Sequence, residues 1–118
     1  MSEYEGKIDL EIESRGEFLI ITPVVVDITF KNARFVLKTV KDAVENNKRK
    51  VIMNMKHVEI IDSVSLGTLV AILKYVRSLG GDMVIANASM QIKELFFLLN
   101  FQSVFRLFDC AEDAEANF

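Results

Sequence analysis

The segment VIMNMKHVEIIDSVSLGTLVAILKYVRSLGGDMVIA, residues 51–86, sets one stretch of helical length between two short runs that are apolar almost throughout. A short run without polar alternation suits a strand covered on both faces, as in a parallel sheet. Parallel neighbours need a crossover, and a helix packed on the sheet supplies it with right-handed sense. VIMNM (51–55) and MVIA (83–86) therefore read as buried strands. Residues 65–79, stopped by the glycines of LGGD, read as the helix between them.

The rest of the chain extends that unit. KIDLEIE (7–13) alternates Ile8, Leu10 and Ile12 with charges, the pattern of a half-exposed strand at a sheet edge. SRGE supplies a turn into FLIIT (18–22), a more buried strand, and so short a connection favours an antiparallel hairpin. Pro23 interrupts the apolar run, which makes VVV (24–26) a strand end or a bulged continuation. A helix capped by Asp27 or Thr29 runs to about Asn47, with Ala33, Val36, Leu37, Val40 and Val44 on one face. SMQIKELFFLLN (89–100) reads as a third helix, with Ile92, Leu95, Phe96 and Leu99 toward the core. SVFRLF (103–108) reads as a last strand, and AEDAEANF (111–118) as a terminal helix turning Ala111, Ala114 and Phe118 inward. The expected fold is a single α/β domain over residues 1–118, with a mixed, mostly parallel sheet, an N-terminal hairpin and about four helices.

Several chemistries find no support. Fourteen basic against seventeen acidic residues leave a net charge of −3, and the local basic cluster KRK (48–50) sits at a helix end, so nucleic-acid binding has no footprint. Cys110 is the only cysteine, which excludes an intramolecular disulfide and suits a reducing, cytoplasmic setting. The N-terminus is unlike a signal peptide, and no apolar run approaches the ~20 residues of a membrane span. His57 is the one histidine, and no second histidine or cysteine offers a metal cluster. No Gly-rich phosphate loop is present, so neither a cofactor nor catalysis is expected.

What remains is IIDSVSLG, residues 60–67. Asp62 or Ser63 can cap the helix that follows, and in a parallel sheet this strand-to-helix step lies at the rim where partners meet the fold. Leu66, Leu69, Val70, Leu73 and Val76 form one apolar face of that helix. Ala71, Ile72 and Tyr75 lie on others, and no charge precedes Lys74. A helix apolar on more than one side is deeply buried or carries a surface for a partner; in so small a domain the partner surface is favoured. Whether Ile72, Tyr75 and nearby Phe35 face another protein or a second copy in a homodimer stays open.

These residues, in this order, resemble the STAS domain of bacterial anti-sigma factor antagonists over nearly the whole chain. Val51, Ile52, Met53 and Val58 match the family's buried strand, with Asn54 where Asp is usual. Ile60, Ile61, Asp62, Ser63, Leu66 and Gly67 match its Asp-Ser step, with Val64 for the usual Ser or Thr and Ser65 for the usual Gly. In the family the serine after the Asp is the phosphoacceptor, which implies Ser63 here, with Asp62 shaping the site and Ser65 as a rival acceptor. Asp27 falls near a family acid in the first strand-to-helix loop, although the glycine that usually precedes it is missing.

The resemblance implies a partner switch and no enzyme. The unphosphorylated protein would dock the region from Asp62 through Val64, Ser65, Leu66 and Gly67 to Ile72 and Tyr75, with Asp27 beside it, on an anti-sigma factor that is also a serine kinase. That would free a sigma factor; phosphorylation of Ser63 would end the contact and a serine phosphatase would restore it. The alternative raised by the unusual SVS step is a STAS scaffold, or a subunit of a larger regulatory or transport assembly, that never carries phosphate.

Overall fold

Leu19, Ile21, Val51, Met53, Met83 and Ile85 turn to one face of a sheet while Ile20, Ile52, Val84 and Ala86 turn to the other, and all of them are buried. Side chains alternate along a strand, so these runs are apolar throughout because helices cover both faces. The computed structural model describes residues 6–46 and 49–118. The first five residues of the N-terminus, the helix end read at Asn47, and Lys48 of the basic cluster lie outside the described residues.

The chain runs β1 (Asp9–Arg15), β2 (Phe18–Val24), β3 (Asp27–Ile28), α1 (Ala33–Glu45), β4 (Lys50–Asn54), β5 (Ile60–Ile61), α2 (Ser63–Ser78), β6 (Asp82–Ala86), α3 (Met90–Leu98), β7 (Leu107–Phe108) and α4 (Ala111–Asn117). The main sheet has the order β1-β2-β4-β6-β7, with β1 antiparallel to β2 and the other pairs parallel. This is the expected mixed sheet with its N-terminal hairpin, and β1 is the charged edge. Val36, Val40 and Val44 of α1, Leu69, Leu73 and Val76 of α2, and Ile92 and Phe96 of α3 share one core with the sheet. On the opposite face α4 buries Ala114, and Phe118 lies 5.6 Å from the Phe18 ring.

Tertiary structure overrides several local expectations. The first helix begins at Ala33, not at Asp27 or Thr29, because Asp27 and Ile28 are drawn into a two-stranded parallel pair with Ile60 and Ile61. A turn then intervenes, in which the Thr29 carbonyl accepts from the N–H groups of Asn32 and Ala33. β2 passes through Pro23 and ends at Val24, so the VVV run begins as a strand end; Pro23 is buried and pairs with Leu10, while parallel pairing with β4 stops at Ile21, so the N–H that proline lacks is not required.

The last strand is reduced to Leu107–Phe108, because Phe105 turns inward and stacks on Phe96 with ring centroids 5.4 Å apart. Leu99 follows α3 and is exposed. The helix α2 packs against both α1 and β6, which corrects the expectation for Ile72. Ile72 is fully buried there and cannot face a partner.

Candidate functional site

The short β3–β5 pair does the positioning. It aligns Asp27 with Ile60 and Ile28 with Ile61, so the loop before α1 and the N-terminus of α2 meet at one end of the sheet. Asp62 follows β5 with extended backbone and is the N-cap of α2. One carboxylate oxygen, Oδ1, accepts from the Ser65 N–H at 2.8 Å; the other, Oδ2, accepts from the Phe30 N–H at 2.9 Å. Partial burial pushes the Asp62 carboxyl up, but the N–H donors of Ser65 and Phe30 outweigh it and hold the group below its ordinary value.

Ser63 opens α2, one residue earlier in the chain than the exposed Val64. Its side chain is exposed and makes no hydrogen bond among the described residues. Ser65 is its opposite: 1% exposed, its hydroxyl donates to the Ile28 carbonyl at 2.6 Å. A modifying enzyme cannot reach that oxygen while the helix end stays closed. The expected acceptor Ser63 and its rival Ser65 therefore have different surroundings.

The remaining expected site residues divide in the same way. Gly67 lies on the exposed side of α2, and a Cβ added there would meet nothing within 4 Å. Leu66 and Ile72 are core residues. Tyr75 is half-buried beneath Lys41, whose Nζ stands 4.7 Å from the ring centre, and Phe35 is half-buried on α1. Asp27 is exposed at the same rim as Asp62, its carbonyl accepting from the Asn32 side-chain amide at 3.1 Å. His57 is exposed in the loop after β4.

Asn54, where the family has Asp, is buried at the end of β4; its Oδ1 accepts from the Asn87 amide at 2.9 Å and from the Lys56 N–H at 3.2 Å. It ties the ends of β4 and β6 together below the site.

Sequence reading missed an apolar collar, a set of exposed apolar side chains on the segments that meet at this end of the sheet. Phe30 is 66% exposed, Ile60 52% and Val64 53%, and Val26 and Met90 are exposed with them. They converge because the Val26 carbonyl accepts from Glu59 and Ile60, Phe30 is held by Asp62, and the Ser89 hydroxyl donates to Glu59 at 2.7 Å. A lone Phe within the polar stretch DITFKN was the signal available in the sequence. The grooves found elsewhere, on α3 and between α1 and α2, do not include Ser63, which stands on an open surface. Such an arrangement suits recognition by another macromolecule. Among the described residues no helix is long and apolar enough to cross a membrane.

The family model for the STAS domain matches residues 9–114. A protein of Thermotoga neapolitana assigned as an anti-sigma factor antagonist is 29% identical over 89 residues, 75% of this chain and 79% of its own. The crystal structure of an assigned anti-sigma factor antagonist from Thermotoga maritima superposes with a TM-score of 0.82 at 25% identity, covering 91% of this chain and 92% of that one. The fold is also that of the Bacillus cell fate determinant SpoIIAA in its phosphorylated form, at a TM-score of 0.70 and 14% identity over 92% of this chain and 97% of that one.

Proposed function

The chain belongs to the STAS-domain family, and on that footing we propose that it is an anti-sigma factor antagonist switched by phosphorylation of Ser63. The observation that carries the reading is the pairing of an exposed Ser63 hydroxyl with a buried, engaged Ser65 at the end of the sheet that carries the exposed apolar side chains. The unmodified protein docks this face on an anti-sigma factor that is itself a serine kinase, and a sigma factor is released in the cytoplasm. The chain acts by binding and does no catalysis.

Phosphorylation adds ~1.5–2 negative charges to Ser63. The fold tolerates them, because the first turn of α2 presents N–H groups and the positive end of its dipole. A partner packed on Phe30, Ile60 and Val64 does not, since it must desolvate a dianion against an apolar surface. A loss of ~3–4 kcal/mol would weaken a micromolar complex some hundreds-fold, and a serine phosphatase would reverse it. That a protein of this fold has been solved in a phosphorylated form supports the reading.

The test is site-resolved mass spectrometry after incubation with ATP and each candidate anti-sigma kinase of the source organism, with Ser63→Ala in parallel. One phosphate on Ser63, absent from the variant and accompanied by loss of kinase binding, is the expected result. Phosphate on Ser65 would move the switch to the buried hydroxyl and show that the end of α2 opens to the kinase. No phosphate with any candidate, and Ser63→Ala binding unchanged, would leave a STAS scaffold or assembly subunit as the function.

A further inference from the structure

Asp62 divides its carboxylate between two parts of the fold. Oδ1 holds the Ser65 N–H inside the first turn of α2, and Oδ2 holds the Phe30 N–H at the tip of the turn before α1. That turn carries its own hydrogen bonds, its start is tied to α2 through the Ile28 carbonyl, and the Gly6 backbone packs against its Lys31 carbonyl. The Thr29 N–H donates to Asn32 Oδ1 at 2.9 Å, the Asn32 amide donates to the Asp27 carbonyl at 3.1 Å, and the Thr29 carbonyl takes the Asn32 and Ala33 N–H groups. At its tip the bond to Asp62 is the link to α2. The Phe30 side chain is 66% exposed, so little core packing resists its movement.

Ser63 lies between Asp62 and Ser65 in the chain, at the first residue of α2. A phosphate on its oxygen would lie at the first turn of α2, where free N–H groups collect anions, and the Ser65 N–H is one of those donors. The dianion competes with Asp62 for that donor and repels the adjacent carboxylate. Because one carboxylate serves both bonds, displacing it from the helix also disturbs its hold on Phe30.

We infer that Phe30 is a movable anchor of the docking face, and that Asp62 is the positioning residue that couples its placement to the state of Ser63. The inference rests on Ser63 being the phosphoacceptor. In the unmodified protein the carboxylate fixes Phe30 in the collar beside Ile60 and Val64. In the modified protein the tip of the turn is released, and docking loses an apolar anchor as well as gaining a charge. The remainder of the sheet and helices stays as it is.

The test needs no kinase. Phosphoserine is incorporated at position 63 of the full chain during translation, and amide-proton exchange at Phe30 and Ser65 is followed by NMR, with Asp62→Asn in parallel. Asparagine still caps a helix but offers one acceptor oxygen in place of two. Phosphoserine is expected to speed exchange at Phe30 at least tenfold and leave core amides such as Ile52 unchanged. Asp62→Asn is expected to speed Phe30 by itself, and phosphoserine added to that variant to change Phe30 little further.

Unaltered Phe30 exchange in the phosphoserine protein would overturn the coupling, as would a full phosphoserine response surviving in Asp62→Asn. If Asp62→Asn fails to fold, the phosphoserine protein alone decides, since its Phe30 amide keeps or loses protection. The two readings separate cleanly. Kinase-driven phosphorylation with Phe30 unmoved rejects the coupling and keeps the switch; a released Phe30 in a protein that no kinase modifies keeps the coupling and rejects the switch.

Discussion

The Ser65 hydroxyl donates a 2.6 Å hydrogen bond to the carbonyl of Ile28, fastening the first turn of α2 to β3 across 37 residues of chain. A glycine, which the family usually has here, could not make this bond. Ser65→Ala should leave the Ile28 carbonyl with only the longer 3.4 Å bond from the Asp62 N–H and cost about 0.5–1.5 kcal/mol. Thermal unfolding measures it; a variant as stable as the parent would show that the bond is replaced by water at no cost.

The second expectation concerns pH. The folded-state pKa of Asp62 lies below its ordinary 3.8, so its two hydrogen bonds contribute stability that is fully present above that value. The contribution is lost as pH falls through the folded pKa. The parent should therefore melt above Asp62→Asn at pH 7, and the gap should narrow in strong acid. A gap independent of pH would mean that the carboxylate charge is not what holds the loop.

Two positions on α2 should respond in opposite directions. Ile72→Ala opens a cavity in the core and should cost about 2–5 kcal/mol. Gly67→Ala fills open space on an exposed helix face and should gain about 0.5–1 kcal/mol. Denaturant midpoints of the two variants decide whether the buried and exposed sides of α2 are as assigned.

Collar residues should separate binding from folding. Phe30→Ser and Val64→Ser replace exposed side chains, so stability should move by no more than about 0.5 kcal/mol. Affinity for the anti-sigma factor should fall at least tenfold, about 1.4 kcal/mol. Calorimetric titration beside thermal unfolding tests both halves; unchanged affinity would remove the collar from the interface.

Much of this arrangement was legible in the chain. Val51 to Met55 and Met83 to Ala86 are apolar throughout because both faces of a central strand are covered, and that density survives into the sequence. Asp62 is a good cap in any context, and its place before an apolar helix marked the step. The starting point of α1 was not legible, because Asp27 and Thr29 are equally good caps locally. Their fate was decided by a strand pair of two residues each, too short to leave a periodic trace.

Residue type and spacing belong to the chain alone, and they determined the order of the main-sheet strands and the helices, the hairpin, and the presence of an acid and two hydroxyls at one strand-to-helix step. Which hydroxyl is free was decided only by the tertiary structure. Ser65 meets the Ile28 carbonyl and Asp62 meets the Phe30 N–H across 37 and 32 residues of chain. Ile72 was likewise ambiguous, since an apolar residue off the main face of a helix is core or contact surface according to what packs over it. Hydrophobicity is written residue by residue, but burial and hydrogen-bond partnership arise from elements that meet only when the chain folds.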